Sequence, residues 1–141
     1  AQFITALAHY MAGLQHYDSP YDQWLGGDST ALGPDARIGL ELFKTHCASC
    51  HSGPQLSSFA IATNGLPTNA DYGRMNLTNN AEDSGAFKIP TLRGIALTYP
   101  YMHDGSYANL DTVLSAYNKV RGLGLTGEEL AQLNAFLNTL H

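Results

Sequence analysis

The stretch Pro34-Asp35-Ala36-Arg37-Ile38-Gly39-Leu40-Glu41-Leu42-Phe43-Lys44-Thr45-His46-Cys47-Ala48-Ser49-Cys50-His51 decides how this chain is read. Pro34 suits the first position of a helix, where its missing N–H costs nothing, and Asp35 sits in the positive first turn. Ile38, Leu40, Leu42 and Phe43 supply the apolar positions. This predicted helix runs straight into the only two cysteines of the 141 residues, spaced C-x-x-C and followed at once by a histidine. C-x-x-C-H is the spacing of covalent c-type haem attachment. Each thiol adds across one haem vinyl group, and the histidine is held beneath the iron as its proximal ligand. Three other readings fit less well. A thioredoxin-like redox pair would open a helix after a buried strand, whereas here a helix precedes the motif. A zinc site needs four ligands, and the sequence offers no second C-x-x-C and no H-x3-5-H pair. A disulfide across so short a loop adds little stability.

Working outward, the segment from Gln2 to Tyr17 places Phe3, Leu7, Tyr10, Leu14 and Tyr17 at three- and four-residue spacings, an amphipathic helix. A turn at Asp18-Ser19-Pro20 follows, then one or two helical turns over Tyr21 to Leu25, closed by Gly26-Gly27. Residues from Ser52 to Ile89 are rich in Gly, Asn, Ser, Thr and Pro without a sustained period. They read as a long ordered loop, which in a compact domain needs a reason such as a macrocycle to pack against. Two more helices are predicted. One runs from Asn109, its N-cap, to Val120; the other, from Thr126 to Leu140, opens on the capping box Thr126-Gly127-Glu128-Glu129. No strand signal stands out, so the expected fold class is mostly α, with long loops around one covalently bound haem and a chain poorly folded without it.

Composition narrows the partners. A net charge of -5, with seven basic residues and no Lys/Arg cluster, offers no surface for nucleic acid or an anionic membrane. No apolar run approaches the roughly 18 residues of a membrane span, and no basic region precedes the mildly apolar N-terminus, so the chain reads as a mature or trimmed soluble form. Haem c is attached outside the cytoplasm, so a periplasmic location is expected.

Four further segments carry a more definite resemblance: Ser19-Pro20-Tyr21-Asp22; Gly39-Leu40-Glu41-Leu42-Phe43; Phe87-Lys88-Ile89-Pro90-Thr91-Leu92-Arg93; and Leu97-Thr98-Tyr99-Pro100-Tyr101-Met102-His103-Asp104-Gly105-Ser106. In this order they resemble the C-terminal haem domain of the bacterial dihaem cytochrome c peroxidase and MauG family. The resemblance covers nearly the whole chain and implies one cytochrome c-like domain over residues 1–141. Family members carry two C-x-x-C-H motifs in two similar domains, and this sequence has one. The resemblance further implies that the N-terminal haem cleaves peroxide while the C-terminal haem stores or relays electrons. This chain would then be the relay half, working with a redox protein partner or with an N-terminal haem domain or subunit that the sequence lacks. The rival class is a haem peroxidase acting at this single haem, which needs an open or displaceable sixth position and a distal acid–base pair.

The resemblance also locates the sixth iron ligand. At the matching position the peroxidase branch has methionine and the MauG-like branch tyrosine; here it is Tyr117, whose phenolate would favour ferric iron and a low potential. The alternative is Met102, at the spacing of the ligand in many small cytochromes c. By resemblance His103 lies near the haem and hydrogen-bonds there. Arg74 and Arg93 are candidate donors to the haem propionates, with exposed salt bridges as their other reading. Met11 and Met75 read as gap-fillers, and His9, His16, His46 and His141 as surface or packing residues. A calcium ion, which the family holds between its domains on backbone carbonyls, would use Thr98 and Pro100, but its side-chain ligand comes from the absent domain.

Overall fold

The computed structural model describes residues 2–14, 17–67 and 69–141. Its frame is helical, and the caps that delimit the helices are local. Helix α1 spans Gln2–Gly13 and buries none of its residues. Helix α2, Pro20–Leu25, opens on Ser19, whose Oγ accepts from the Asp22 backbone N–H while the Asp22 carboxylate accepts from the Ser19 N–H. Helix α3, Pro34–His46, starts at Pro34 as expected and has Lys44 and His46 in its last turn, where cations suit the dipole. Helix α5, Leu110–Arg121, is capped by Asn109. Helix α6, Gly127–Leu137, carries the expected Thr126/Glu129 box.

The core lies where α3 meets α6, with α5 against α6 and Leu32, Leu56 and Leu110 filling the margins. Leu133, Phe136 and Leu140 are essentially sealed, and Phe136 meets Phe43 and Tyr21 at ring-centroid distances of 5.1 and 5.2 Å. The two helices approach backbone to backbone at Gly39, where a Cβ would stand 2.0 Å from the Gln132 carbonyl oxygen. Only glycine allows that crossing.

The loop region departs from the expectation of no strands. Ile61–Thr63 (β1) pairs antiparallel with Ala86–Lys88 (β2), in the register Ile61 with Lys88 and Thr63 with Ala86. Between them lie a short helix α4, Met75–Thr78, and one 310 turn at Ala81–Asp83. Three-residue strands carry no readable alternation, and a ladder between positions so far apart leaves no local mark. Side chains tie the loops to one another: Ser57 Oγ donates to the Ile89 carbonyl at 2.7 Å and Thr91 Oγ1 to the Gln55 carbonyl at 2.6 Å. The predicted N-terminal helix ends earlier than Tyr17, since α1 stops at Gly13 and a turn follows at Leu14; His16 lies outside the described residues.

Candidate haem-attachment site

The helical winding of α3 continues through the cysteine motif. The Cys47 N–H donates to the Phe43 carbonyl at 2.8 Å, and those of Cys50 and His51 both return to the Cys47 carbonyl, at 3.1 and 2.9 Å. Cys47, Cys50 and His51 therefore project from one tight turn at the end of a helix with one buried face. Both cysteines are free thiols, half-buried. Burial, with a smaller push from Cys50, raises the Cys47 thiol to about 11, so it rests protonated at neutral pH.

His51 is oriented from behind. Its Nδ1 lies 3.1 Å from the Leu56 carbonyl oxygen, an acceptor, so Nδ1 carries the proton and Nε2 is left with its lone pair. Burial pushes the imidazole below its ordinary pKa, outweighing the Leu56 and Pro90 carbonyls, which favour the charged form. A half-buried imidazole with a tethered Nδ1, next to Cys50 in the chain and four positions from Cys47, is a donor set that suits haem c, and the residues present fit the group. Among the described residues no three or more His, Cys, Asp or Glu side chains cluster as an alternative metal site. Beside His51 a cavity of about 400 Å3 opens, lined among others by Phe43, Leu56, Tyr21 and Arg93.

Tyr117 and Met102 fall in one neighbourhood. Tyr117, on the inner side of α5, is half-buried; burial is the largest influence on its phenol and raises its pKa, the Asn64 amide and Arg121 charge pull the other way, and Cys47 and Cys50 both add to the rise. The phenol thus lies within electrostatic range of both thiols. Met102 adopts a left-handed backbone, φ 72°, and its sulfur accepts from Asn64 Nδ2 at 3.8 Å. Asn64 thereby touches both candidate ligands. An asparagine in a Gly/Pro/Thr-rich loop gives no sequence signal for such a role, and the sequence reading did not select it.

The remaining candidates have other partners. Arg93 is mostly buried: its Nη1 pairs with Asp22 Oδ2 at 2.5 Å, its Nε donates to the Pro54 carbonyl at 2.8 Å, and its guanidinium lies 5.0 Å from the centre of the Tyr17 ring. Arg74 Nε pairs with Asp83 at 3.2 Å in a more exposed setting. The His103 ring stacks on Phe87, centroids 4.1 Å apart, and its Nε2 stands 4.0 Å from an Asp71 carboxylate oxygen, beyond hydrogen-bond reach. Thr98 turns its hydroxyl to the Ile95 carbonyl. No helix among the described residues is long and apolar enough to cross a membrane.

No family model matches the chain. It is 37% identical over 146 residues to the cytochrome c551 peroxidase of Nitrosomonas europaea, across 99% of this chain and 44% of that protein. It is 34% identical over 156 residues to the methylamine utilization protein MauG of Methylorubrum extorquens, again across 99% of this chain and 44% of that one. Among solved structures it superposes with a TM-score of 0.80 and 29% identity on a MauG-like protein associated with microbial copper homeostasis, over 91% of this chain and 49% of the other. The chain spans less than half the length of these relatives. With likeness in sequence and fold over nearly all its residues, the chain belongs to the cytochrome c peroxidase/MauG family.

Proposed function

We propose that this chain is an electron-transfer haem domain, holding one haem c on Cys47, Cys50 and His51 and serving as the electron-relay half of a dihaem peroxidase-like oxidoreductase. The observation that carries the reading is the tethered His51: the Leu56 carbonyl occupies Nδ1 and leaves Nε2 as the donor beside two free thiols. Haem c, when bound, supplies reversible one-electron exchange at its iron. The chain's own residues fix its position and its potential.

Tyr117 is the proposed sixth ligand, with Met102 as the alternative; the Asn64 contact with Met102 and its influence on the Tyr117 phenol support placing both donors on one side of the motif. A phenolate there favours ferric iron, a thioether ferrous iron. Two donors able to close the sixth position favour electron relay over peroxide cleavage at this haem. Of the arginines, Arg74 is a proposed propionate donor, because its exposed pair with Asp83 is cheap to exchange. Arg93, which lines the cavity beside His51 while pairing with Asp22 and the Pro54 carbonyl, is the other proposed propionate donor. His103 is proposed as a polar neighbour of the haem. Calcium on the Thr98 and Pro100 carbonyls would wait on a ligand from another domain. The location proposed is the periplasm, and the partner a redox protein or a second haem domain.

Intact mass of the purified chain tests covalent haem, and the ferric spectrum tests the ligand. Tyr117→Phe is expected to abolish a tyrosinate-like charge-transfer band that Met102→Leu leaves in place. A spectrum indifferent to both substitutions refutes both ligand assignments, and a colourless chain refutes the function.

A further inference from the structure

The loop that leaves β1 carries one amide directed at both candidate ligands. Strand β1 ends at Thr63, and the next residue, Asn64, is half-buried. Its Oδ1 accepts from the Leu66 backbone N–H at 2.9 Å. That bond fixes the orientation of the amide, since a backbone N–H requires the oxygen and leaves both hydrogens of Nδ2 for other partners. One goes to the Met102 sulfur, 3.8 Å away, and the side chain is also a donor toward the Tyr117 phenol.

The loop is pinned to the helix that carries Tyr117. Arg121, one turn further along α5, donates from Nη2 to the Thr63 carbonyl at 2.9 Å. A Cβ on Gly65 would stand 3.7 Å from Val120, so the chain beyond Asn64 also lies against α5. The pairing of Thr63 with Ala86 holds the strand end as well. Asn64 therefore has little freedom to turn away. The turn itself does not need an amide, because the chain builds the same bond to the residue two positions on with aspartate at Asp28, Asp71 and Asp104. What asparagine adds at position 64 is a donor.

We propose that Asn64 is a positioning residue that selects Tyr117 over Met102 as the sixth iron ligand. The inference rests on the haem-binding function proposed above and goes beyond it by naming what decides between the two donors. Both N–H groups of the amide push the same way. An oxygen that gives one lone pair to a metal as phenolate keeps another for Asn64, and a hydrogen bond to a charged oxygen is roughly twice as strong as a neutral one. A thioether sulfur that accepts the other N–H shares electron density that a metal would otherwise draw on, and Met102, at φ 72°, is held in a backbone conformation that its surroundings must enforce. Loss of one charge-assisted hydrogen bond should move the preference for Tyr117 by about tenfold or more.

Asn64→Leu and Asn64→Asp in the haem-loaded chain test the assignment. The first removes the amide at similar size; the second keeps the acceptor for Leu66 and loses only the donor. In each, the tyrosinate-like charge-transfer band of the ferric protein is expected to be lost, a methionine–iron band to appear, and the reduction potential to rise. Adding Met102→Leu to either variant should remove the new band. A role confined to the shape of the loop would lower the melting midpoint and leave band and potential at the parent's values, which overturns the proposal. Asn64→Asp decides the matter where Asn64→Leu does not fold, because it preserves the turn. The functional reading fails differently: a colourless parent, or a parent band that survives Tyr117→Phe, removes the ligand and this inference with it. A band lost in Tyr117→Phe and retained in both Asn64 variants refutes the inference alone.

Discussion

The crossing of α3 and α6 rests on one missing methyl group, which makes Gly39→Ala an informative perturbation. The new Cβ would lie 2.0 Å from the Gln132 carbonyl oxygen, 2.6 Å from its carbon and 2.9 Å from Phe136 Cβ. Two of these neighbours are backbone and cannot rotate away, so the helices must part by about 1 Å merely to reach 3.0 Å. Overpacking of this kind costs about 1–3 kcal/mol, and a clash with backbone belongs at the upper end. Against it stands the helix preference of alanine over glycine, about 0.5–1 kcal/mol. The net expectation is a loss of about 2 kcal/mol, or roughly 6–10 °C in melting midpoint for a chain of this length. Thermal unfolding of the haem-loaded protein followed by far-UV circular dichroism gives the measurement. Gly127→Ala, in α6 where a Cβ meets nothing within 4 Å, is the matched control and should be neutral or slightly stabilising. If Gly39→Ala melts with or above its parent while the control behaves, the two backbones do not meet as described.

Other outcomes follow from the same structure. Phe136→Ala empties a fully buried site between Phe43 and Tyr21 and is expected to cost about 3–5 kcal/mol in chemical denaturation. Thr126→Ala removes the cap of α6 and should cost about 1 kcal/mol, read as a shift in the urea midpoint without a change in slope. Arg93→Ala strands the Asp22 carboxylate, 11% exposed, and should cost about 1–3 kcal/mol. Acidification tests the same carboxylate. Burial works to raise it, but the Arg93 and Ser19 hydrogen bonds together with the Arg93 charge hold it below its ordinary value. Asp104, held mainly by Asn69 and Ser106, lies at about 2. Groups lowered by folding stabilise fully above the ordinary carboxylate range and lose that contribution as pH falls through their folded values. The urea midpoint should therefore fall gently below the ordinary imidazole range, where the unfolded chain protonates His51 and the folded chain resists it, and more steeply below about pH 4; a midpoint that rises on acidification would contradict the assignment.

The parts of this fold that were legible in the sequence are those fixed within four residues. Pro34, Asn109 and the Thr126/Glu129 box announce the starts of α3, α5 and α6 because capping is local chemistry, and the cysteine motif announces the site because haem attachment demands that spacing. What was not legible depends on distant partners. Arg93 reads in the sequence as a candidate propionate donor, but its pair with Asp22, a residue 71 positions away, leaves no mark there. Gly39 resembles any helical glycine until Gln132 is seen across from it. The stripe of α1 reads as a core-facing helix face, and only the structure shows that it is exposed.

The strain in this chain falls where the site is aimed. Outside glycine, the described residues with a left-handed backbone are Leu56, Phe59, Asn69, Ala70, Asn79 and Met102, all in loops between the haem motif and α5. Such conformations cost about 1–3 kcal/mol each for residues with a Cβ and persist only where the surroundings enforce them. Two of the six have an identifiable task. Leu56, at φ 49°, supplies the carbonyl that holds Nδ1 of His51, and Met102, at φ 72°, carries the sulfur that meets Asn64. A loop that followed only its own preferences would relax at both positions and release both groups. Helices α3, α5 and α6 are held by their mutual packing, whereas Leu56 and Met102 are held against local preference, so their backbones must be fixed by the contacts around them.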